Sequence, residues 1–536
     1  MKTTIKYIII GISFVLFSGC IGRFEEYNTN PYEPSSVSAS SLLAEMFEVY
    51  ASPQQNETQY NNCMWAAYSG HVTATGNWSR GKDIFAYYNS RDDHNAATWG
   101  YYFGHIYSNL FRIAEKTNRE GGVYALAQLA RVFAMCNMAS LQGPIPYTLI
   151  KEGALNVAYD DEETVWLALF RDINEIVIIL KDSPATDSSV SDIDQFYRGD
   201  MTRWLKFANT LKLRMAIRIS GVGAQPFAHP ELVSEMFGTS YATVEDFAKA
   251  MAESAVRDGV MLDVGDSCWD NNNSNMGVNG YKIVSNNWGE VRSNASITSC
   301  MNGYNDNRRP KYFTKQTFDK NYAEEYVGVR SGSAEVPSPA EYINYSTMYM
   351  GTQDSDPMPV MYVSEAYFLR AEGVLKGWDM DGDIKTLYEQ GIRMSFSEWE
   401  VSGADEYVNN DTLVPAAYKD PQHAGNDAAA ISSLTIKWND SASNEEKLER
   451  ILLQKWLACY LDPLNGWSDY RRTGYPKLLH AVSTANSEVN LTRGQRRLRF
   501  PISEYNTNGE NVRIAVTYLN GGKDSNGTDL WWAKKN

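Results

Sequence analysis

The chain has 536 residues, 43% of them hydrophobic, and no long linker or low-complexity block divides it into separate domains. Its formal net charge of −16 makes it a poor partner for nucleic acid, or for lying flat on anionic lipid, because both repel an acidic surface. With 14 Trp and 34 Tyr it is rich in the rings that grip ligands.

Lys2 and Lys6 form a basic start, and Ile8 to Phe17 an apolar stretch too short to span a bilayer. It ends Phe17-Ser18-Gly19-Cys20, which resembles a bacterial lipobox, with Phe where Leu is usual. Small residues precede the cut, and the Cys20 thiol is the group that accepts diacylglycerol. Residues 1–19 therefore read as a lipoprotein signal peptide, 20–38 as a lipidated tether with turn signals at Asn30-Pro31 and Pro34-Ser35-Ser36, and 39–536 as one domain. An ordinary signal peptide cut elsewhere is the alternative. Of the remaining cysteines, Cys136 and Cys459 sit on apolar helical stripes and read as buried thiols. Cys268 and Cys300 flank an Asn-rich stretch and an exported setting permits a bridge, but spacing alone does not establish proximity, so free thiols are expected.

A helix is predicted from about Ala39 to Tyr50. Residues 53–95, with Trp65, His71, Trp78, Arg80, Tyr87 and Tyr88, have weak periodicity and read as loops and short helices of the kind that carry function. Trp99, Phe103, Ile106 and Leu110 give a helix, and residues 123–140 another, ended by Gly143-Pro144. Asp160 and Glu163 are expected to cap the next, whose stripe is Val165, Leu169, Ile173, Ile176 and Leu180. Its partner starts near Asp200 and buries Trp204, Ala208, Leu211 and Met215, leaving Lys206, Lys212, Arg214 and Arg218 as a solvated or salt-bridged face. Residues 265–304 show no helical period and read as a long excursion whose Trp and Tyr argue against plain disorder.

From Val363 a helix runs through Tyr367, Ala371 and Val374, and a second carries Ile384, Leu387, Tyr388, Gly391 and Ile392, a hairpin of the tetratricopeptide kind. Asp379 to Asp383 between them resembles the opening of a calcium loop, but the later ligand positions are missing, so a solvated turn is expected. Ser443 and Glu446 have capping-box spacing for a helix striped by Leu448, Leu452, Trp456, Cys459 and Tyr460. Asp462-Pro463 should stop it and Asn465-Gly466 should turn the chain. Trp467, Asp469, Tyr470, Arg471 and Arg472 then form either a binding site or a buried knot; the knot is preferred, since Arg forks usually tie carboxylates and loop carbonyls.

The stretch QKWLACYLDPLNGWSDYRRTGYP resembles the C-terminal signature of the SusD/RagB family, in its subgroup with the R-R-T-G-Y-P ending. Similar matches fall in family order: FEEYNTNPYEPSS, LQGPIPY, YRGDMTRWLKFANTLKLRMAIRIS, YNDNRRPKYF with Asn307 where Pro is usual, and RRLRFPISEYNTNGENV with Phe500 for Tyr. The resemblance implies a mostly α-helical, SusD-like fold, tetratricopeptide-type hairpins packed against a loop-rich ligand-binding face. It implies an outer-membrane lipoprotein, facing outward, that captures oligosaccharide, or a peptide, for a SusC-like TonB-dependent transporter. It implies no cofactor.

Sugar rings offer an apolar face to Trp or Tyr and a hydroxyl fringe to Asn, Asp and Arg. The two stretches rich in these residues without a helical stripe, 65–95 and 268–304, supply Trp78, Arg80, Tyr87, Trp269, Asn272, Trp288 and Arg292 as candidate ligand residues. No zinc, Walker, G-x-S-x-G or other catalytic spacing is present, so an enzyme is not expected. A glycan-active surface enzyme and a helical-repeat scaffold for a protein partner remain the other classes.

Overall fold

The computed structural model describes residues 37–50, 63–75, 85–89, 91–271, 280–318, 322–349 and 356–534. Cys20, the tether up to residue 36, Trp78, Arg80 and Asn272 lie outside them.

The described chain is mostly helical. Helix α1 (Ala39–Met46) is capped by Ser38, and α2 (Met64–Tyr68) is a short buried helix leading to strand β1 (Val72–Ala74). Four long helices follow: α3 (Asp92–Lys116), α4 (Gly121–Gln142), α5 (Glu162–Asp182) and α6 (Met201–Ile219), with α7 (Val244–Asp258) packed on α6. Each neighbouring pair in this run is in contact, as hairpins of amphipathic helices must be to bury their stripes. Caps fix their starts: Asp161 accepts from Thr164 N at 3.1 Å and Asp200 from Arg203 N at 3.1 Å. The cap of α5 is thus Asp161 rather than Asp160. Asp160 instead accepts from the Tyr147 and Thr148 amides, and Glu163 reaches the Ala228 and His229 amides.

The described parts of residues 265–304, 265–271 and 280–304, carry more regular structure than their Asn, Ser and Gly content predicts. Strand β2 (Cys268–Asp270) precedes β3 (Val291–Ser293), which pairs antiparallel with β1. Helix α8 (Ala295–Gly303) follows, capped by Asn294, with Ile297, Cys300 and Met301 buried. Its Thr298 and Ser299 hydroxyls bond back to the Asn294 and Ala295 carbonyls, so polar side chains enter the core satisfied. Strand β4 (Met358–Met361) pairs with β2. Helices α9 (Val363–Leu375) and α10 (Ile384–Glu398) form the predicted hairpin, and Asp383 caps α10.

Helix α11 (Asn444–Ala458) starts at its predicted Ser443 cap, 3.2 Å from Glu446 N. The expected turn at Asn465-Gly466 is instead helical. Pro463 opens α12 (Pro463–Thr473), a position where its missing N–H costs nothing. Gly466 serves close approach: a Cβ there would meet Ser69 Cβ at 3.2 Å and Trp456 Cδ1 at 3.3 Å. Most of the described core is one large cluster, in which Trp204 stacks on Phe47 at 5.6 Å and donates to Asp194 at 2.8 Å, and a small second cluster gathers Ala295, Val327, Val329, Tyr342, Tyr345 and Tyr418.

The basic face of α6 is mostly buried rather than solvated, and among the described residues Lys206 and Arg214 are ion-paired while Arg218 donates to the Ser140 and Asn465 side chains. Lys206 pairs with Asp266 at 2.9 Å, while Arg214 and Arg218 are buried and Lys212 is pushed down to about 8 by burial. Arg214 Nε donates to Glu365 Oε1 at 2.8 Å, Lys455 pairs with Asp469 at 2.9 Å, and Arg472 Nη2 donates to Glu372 Oε2 at 2.9 Å. Helices α6, α9, α11 and α12 are thereby tied by charge as well as by packing. All five described cysteines are free and buried, Cys268 and Cys300 included.

Candidate functional site

The two candidate stretches meet through β1 and β3, whose register sets Val72 opposite Ser293 and Thr73 opposite Arg292. Thr75 extends the pair, its N donating to Glu290 O at 2.8 Å and its Oγ1 to Gly289 O at 3.0 Å. Trp288, beside Gly289, stands 40% exposed at this edge, next to where the chain runs on into 76–84. Trp288 is the candidate platform that faces solvent.

Arg292 and Tyr87 are drawn inward. Arg292 is buried, with Nε donating to Tyr342 O and Nη1 to the Ser285 and Val291 carbonyls, each at 2.9 Å. Burial pushes its guanidinium down to about 10. Three backbone acceptors hold it as a strut of the loop face, not as a donor to a hydroxyl fringe. Tyr87 is also buried, and its hydroxyl donates to Ser333 O at 3.2 Å. Both donate to loop carbonyls for the same reason: loop backbone that leaves the helices carries orphan carbonyls, which long donors satisfy.

Trp269 lies elsewhere on this face. Being paired to β4, it half-emerges into a groove of about 420 Å³. Its ring meets Trp399 edge-on at 5.6 Å and Tyr362 at 5.3 Å. Tyr349, 47% exposed, forms another wall, and Lys311, Asp356 and Glu400 complete the rim. None of Tyr87, Trp288 or Arg292 lines this groove. Residues 342–349 connect the two ends of the face: Tyr342 accepts from Arg292, Ser346 O from Ser293 N, and Tyr349 reaches the groove.

Beneath the groove Glu398 pins three elements. Its Oε1 accepts from Ser267 Oγ at 2.6 Å and Val363 N at 2.7 Å, joining the start of β2, the start of α9 and the end of α10. Burial pushes this carboxyl up to about 7. Lys311 pairs loosely with Glu400 at 3.7 Å, so carboxylates outnumber cations around the groove. The arrangement offers two flat apolar surfaces and a polar rim, suited to holding a ring by stacking and its substituents by hydrogen bonds.

Trp399, Tyr349, Lys311 and Asp356 were not singled out by sequence. Trp399, Tyr349 and Asp356 lie at or beyond the end of a helix or bridge, and Lys311 lies in the four-residue helix Arg309–Tyr312, too short for periodicity to carry a signal. Among the described residues no group of His, Cys, Asp and Glu is placed to hold a metal ion, and no helix is long and apolar enough to cross a membrane.

The chain belongs to the SusD-like family, the SusD and RagB outer membrane lipoproteins, whose model matches residues 26–230 and 240–533. A SusD-like protein from Bacteroides thetaiotaomicron is 54% identical, covering 93% of this chain and 99% of its own, with a TM-score of 0.86. A chitin-binding SusD homologue from Flavobacterium johnsoniae is 32% identical over 93% of this chain and 99% of its own, with a TM-score of 0.82. A SusD homologue from Bacteroides uniformis is 34% identical over 93% of this chain and 100% of its own, TM-score 0.80. A search of curated proteins gives no match.

Proposed function

We propose that this protein is a surface lipoprotein, anchored through Cys20, that captures oligosaccharide on its loop face and passes it to a SusC-like TonB-dependent transporter. The observation that carries the reading is the groove of Trp269, Trp399 and Tyr349 in a chain of this family. Trp269 and Tyr349 are the stacking platforms of the groove, with Trp288 a second platform; Trp78 and Arg80, outside the described residues, are kept as further ligand candidates. Asn272 follows Trp269 closely enough in sequence to serve the same ligand. Because a 32% identical homologue is chitin-binding, N-acetylglucosamine oligomers head the panel of ligands.

Stacking plus a few hydrogen bonds gives a dissociation constant of order micromolar to millimolar, about −8 to −4 kcal/mol, weak enough for cargo to be handed on. The reading is binding without turnover. Titrating neutral glycans against wild type, Trp269→Ala and Trp288→Ala, with product analysis of the same mixtures, tests it. Loss of affinity in the folded Trp269→Ala protein with intact glycan recovered is the expected result; wild-type affinity in both variants moves the site elsewhere. Co-purification of a TonB-dependent barrel from membranes tests the partner.

The carboxylate excess around the groove supports a second reading, a peptide bearing Lys or Arg, which the same titration with basic and neutral peptides separates.

A further inference from the structure

A chain with a net charge of −16 also holds a groove of about 550 Å³ whose lining includes five cations and no carboxylate. The cations are Arg471, Lys477, Arg493, Arg496 and Lys534. Two carboxylates reach them from outside the lining: Asp529 contacts Arg493 at 3.0 Å and Arg496 at 2.6 Å, and Glu449 pairs with Lys477 at 2.9 Å. Among the described residues, five cations against two carboxylates leave three positive charges uncompensated.

Arg471 sets the floor. Fully buried, it donates to the Ser140 and Arg496 carbonyls at 2.7 and 2.9 Å and lies 3.7 Å from the centroid of the Trp467 ring. No carboxylate touches it. Burial first, then the Arg496 and Arg218 cations, push its guanidinium well below the ordinary range; the second of these causes is local positive charge that an anion would offset.

Arg496 shows where the anion would sit. Its side chain is 4% exposed, with Nε spent on Asp529 and Nη2 on the Arg471 and Lys534 carbonyls. Its Nη1 has no acceptor among the described residues, yet it is not among the polar atoms sealed from solvent. Arg493 likewise donates only through Nη2, to Asp529 and Lys534 O. A purely structural arginine looks different: Arg308, also buried, spends Nε, Nη1 and Nη2 on Asp306 and Ser395. Outward guanidinium N–H groups held by buried stems are the geometry that grips oxyanions in a fork. Tyr470 and His480, hydrogen-bonded to each other at 3.3 Å, form a flat wall beside them, and the groove exceeds the volume of a bare tetrahedral ion.

We propose that this groove binds an oxyanion, phosphate or sulfate, either free or as its ester on a sugar ring. The site is separate in residues from the aromatic groove and stands whether or not that groove takes glycan. Calorimetric titration of the full chain with inorganic phosphate, inorganic sulfate, glucose 6-phosphate and glucose 6-sulfate tests it, with ionic strength matched by chloride. Saturable binding is expected, with the probes displacing one another. Affinity should drop about tenfold in Arg493→Gln and again in the Arg493→Gln, Lys534→Gln double variant. Esters that bind more tightly than the inorganic ions assign a sugar ester as ligand, and equal affinities assign the free ion. Lys534 is exposed and its Nζ bonds only the Thr473 carbonyl, at 3.4 Å, so Lys534→Gln alone keeps the test open if Arg493→Gln fails to fold. Absence of saturable binding to wild type, or undiminished binding in a folded variant lacking either cation, overturns the proposal.

Discussion

Two regions of this molecule are built from the same residues to different ends. At the α11–α12 junction, Trp456, Trp467, Lys455, Arg471 and Arg472 are all buried, and every charge is answered within the protein by a carboxylate or a carbonyl. At the aromatic groove, Trp269, Trp399, Tyr349 and Lys311 leave ring faces and a charged rim open. Composition is therefore no guide to which Trp–Arg cluster holds a ligand. What separates them is whether the donors have been consumed. Helix ends and loop carbonyls consume them at the junction, whereas the groove rim stands beyond the last carbonyls of α10 and the β2–β4 pair.

The largest effect should come from breaking the junction. Trp456→Ala removes a ring 2% exposed, together with its bond to Ser69 O at 2.8 Å, and should cost about 3–5 kcal/mol in denaturant unfolding while leaving ligand affinity of the folded fraction unchanged. Arg214→Met should cost a similar amount, about 3–5 kcal/mol, because Glu365 and Asp462 lose their shared guanidinium and buried Glu365 keeps only Lys455, at 3.9 Å. Full stability with lost affinity in Trp456→Ala would turn the comparison around.

Next come two opposite responses to pH, one from each region. Glu398 under the groove is raised from 4.5 to about 7, so between those values the unfolded chain gives up its proton first and stability from this group falls as pH rises. His71, packed on Trp456, is lowered by burial from 6.5 to about 3. Its Nε2 donates to Trp456 O and its Nδ1 accepts from Leu461 N, which holds the ring neutral. Stability from His71 is present above 6.5 and is lost as pH falls from there toward 3. Unfolding midpoints of wild type, Glu398→Gln and His71→Gln across pH should give difference curves of opposite slope. Parallel curves would refute the assignment.

Smaller still is Tyr349→Ala. Its ring is 47% exposed, so stability should stay within about 0.5 kcal/mol while glycan affinity drops about tenfold. A change in stability without a change in affinity would make Tyr349 a lid on its own loop. The smallest effect belongs to the thiols: a reductant should leave the melting temperature unchanged, and native alkylation should be slow at Cys268 and Cys300, both buried. A shift on reduction would show a bridge.

Where periodicity or a cap dictates structure, the sequence could be read directly. Ser443, Asp200 and the stripes of α5, α6, α9 and α10 each impose one solution on the backbone. Helix α8 was obscured although Ile297, Cys300 and Met301 keep helical spacing, because its Ser, Thr and Asn read as loop until their hydroxyls are seen bonded to the helix's own carbonyls. Gly466 was read as a turn because close approach by a second helix leaves no local trace. At the site, Trp288 and Trp269 could be found by composition. Arg292 could not be told from a ligand donor, since its acceptor Tyr342 lies far along the chain.

That long reach has a consequence for how the protein is made. Trp456 covers Ser69, and His71 receives Leu461, across 387 and 390 residues of chain. Closing so large a loop instead of one of about twenty residues adds only roughly 2–3 kcal/mol, so the finished protein loses little by it. The cost is in time. A ribosome or a translocon delivers Met64, Trp65 and their neighbours long before α11 exists to cover them. Throughout that interval the newborn N-terminal segment exposes to whatever surrounds it the apolar surface that α11 later covers.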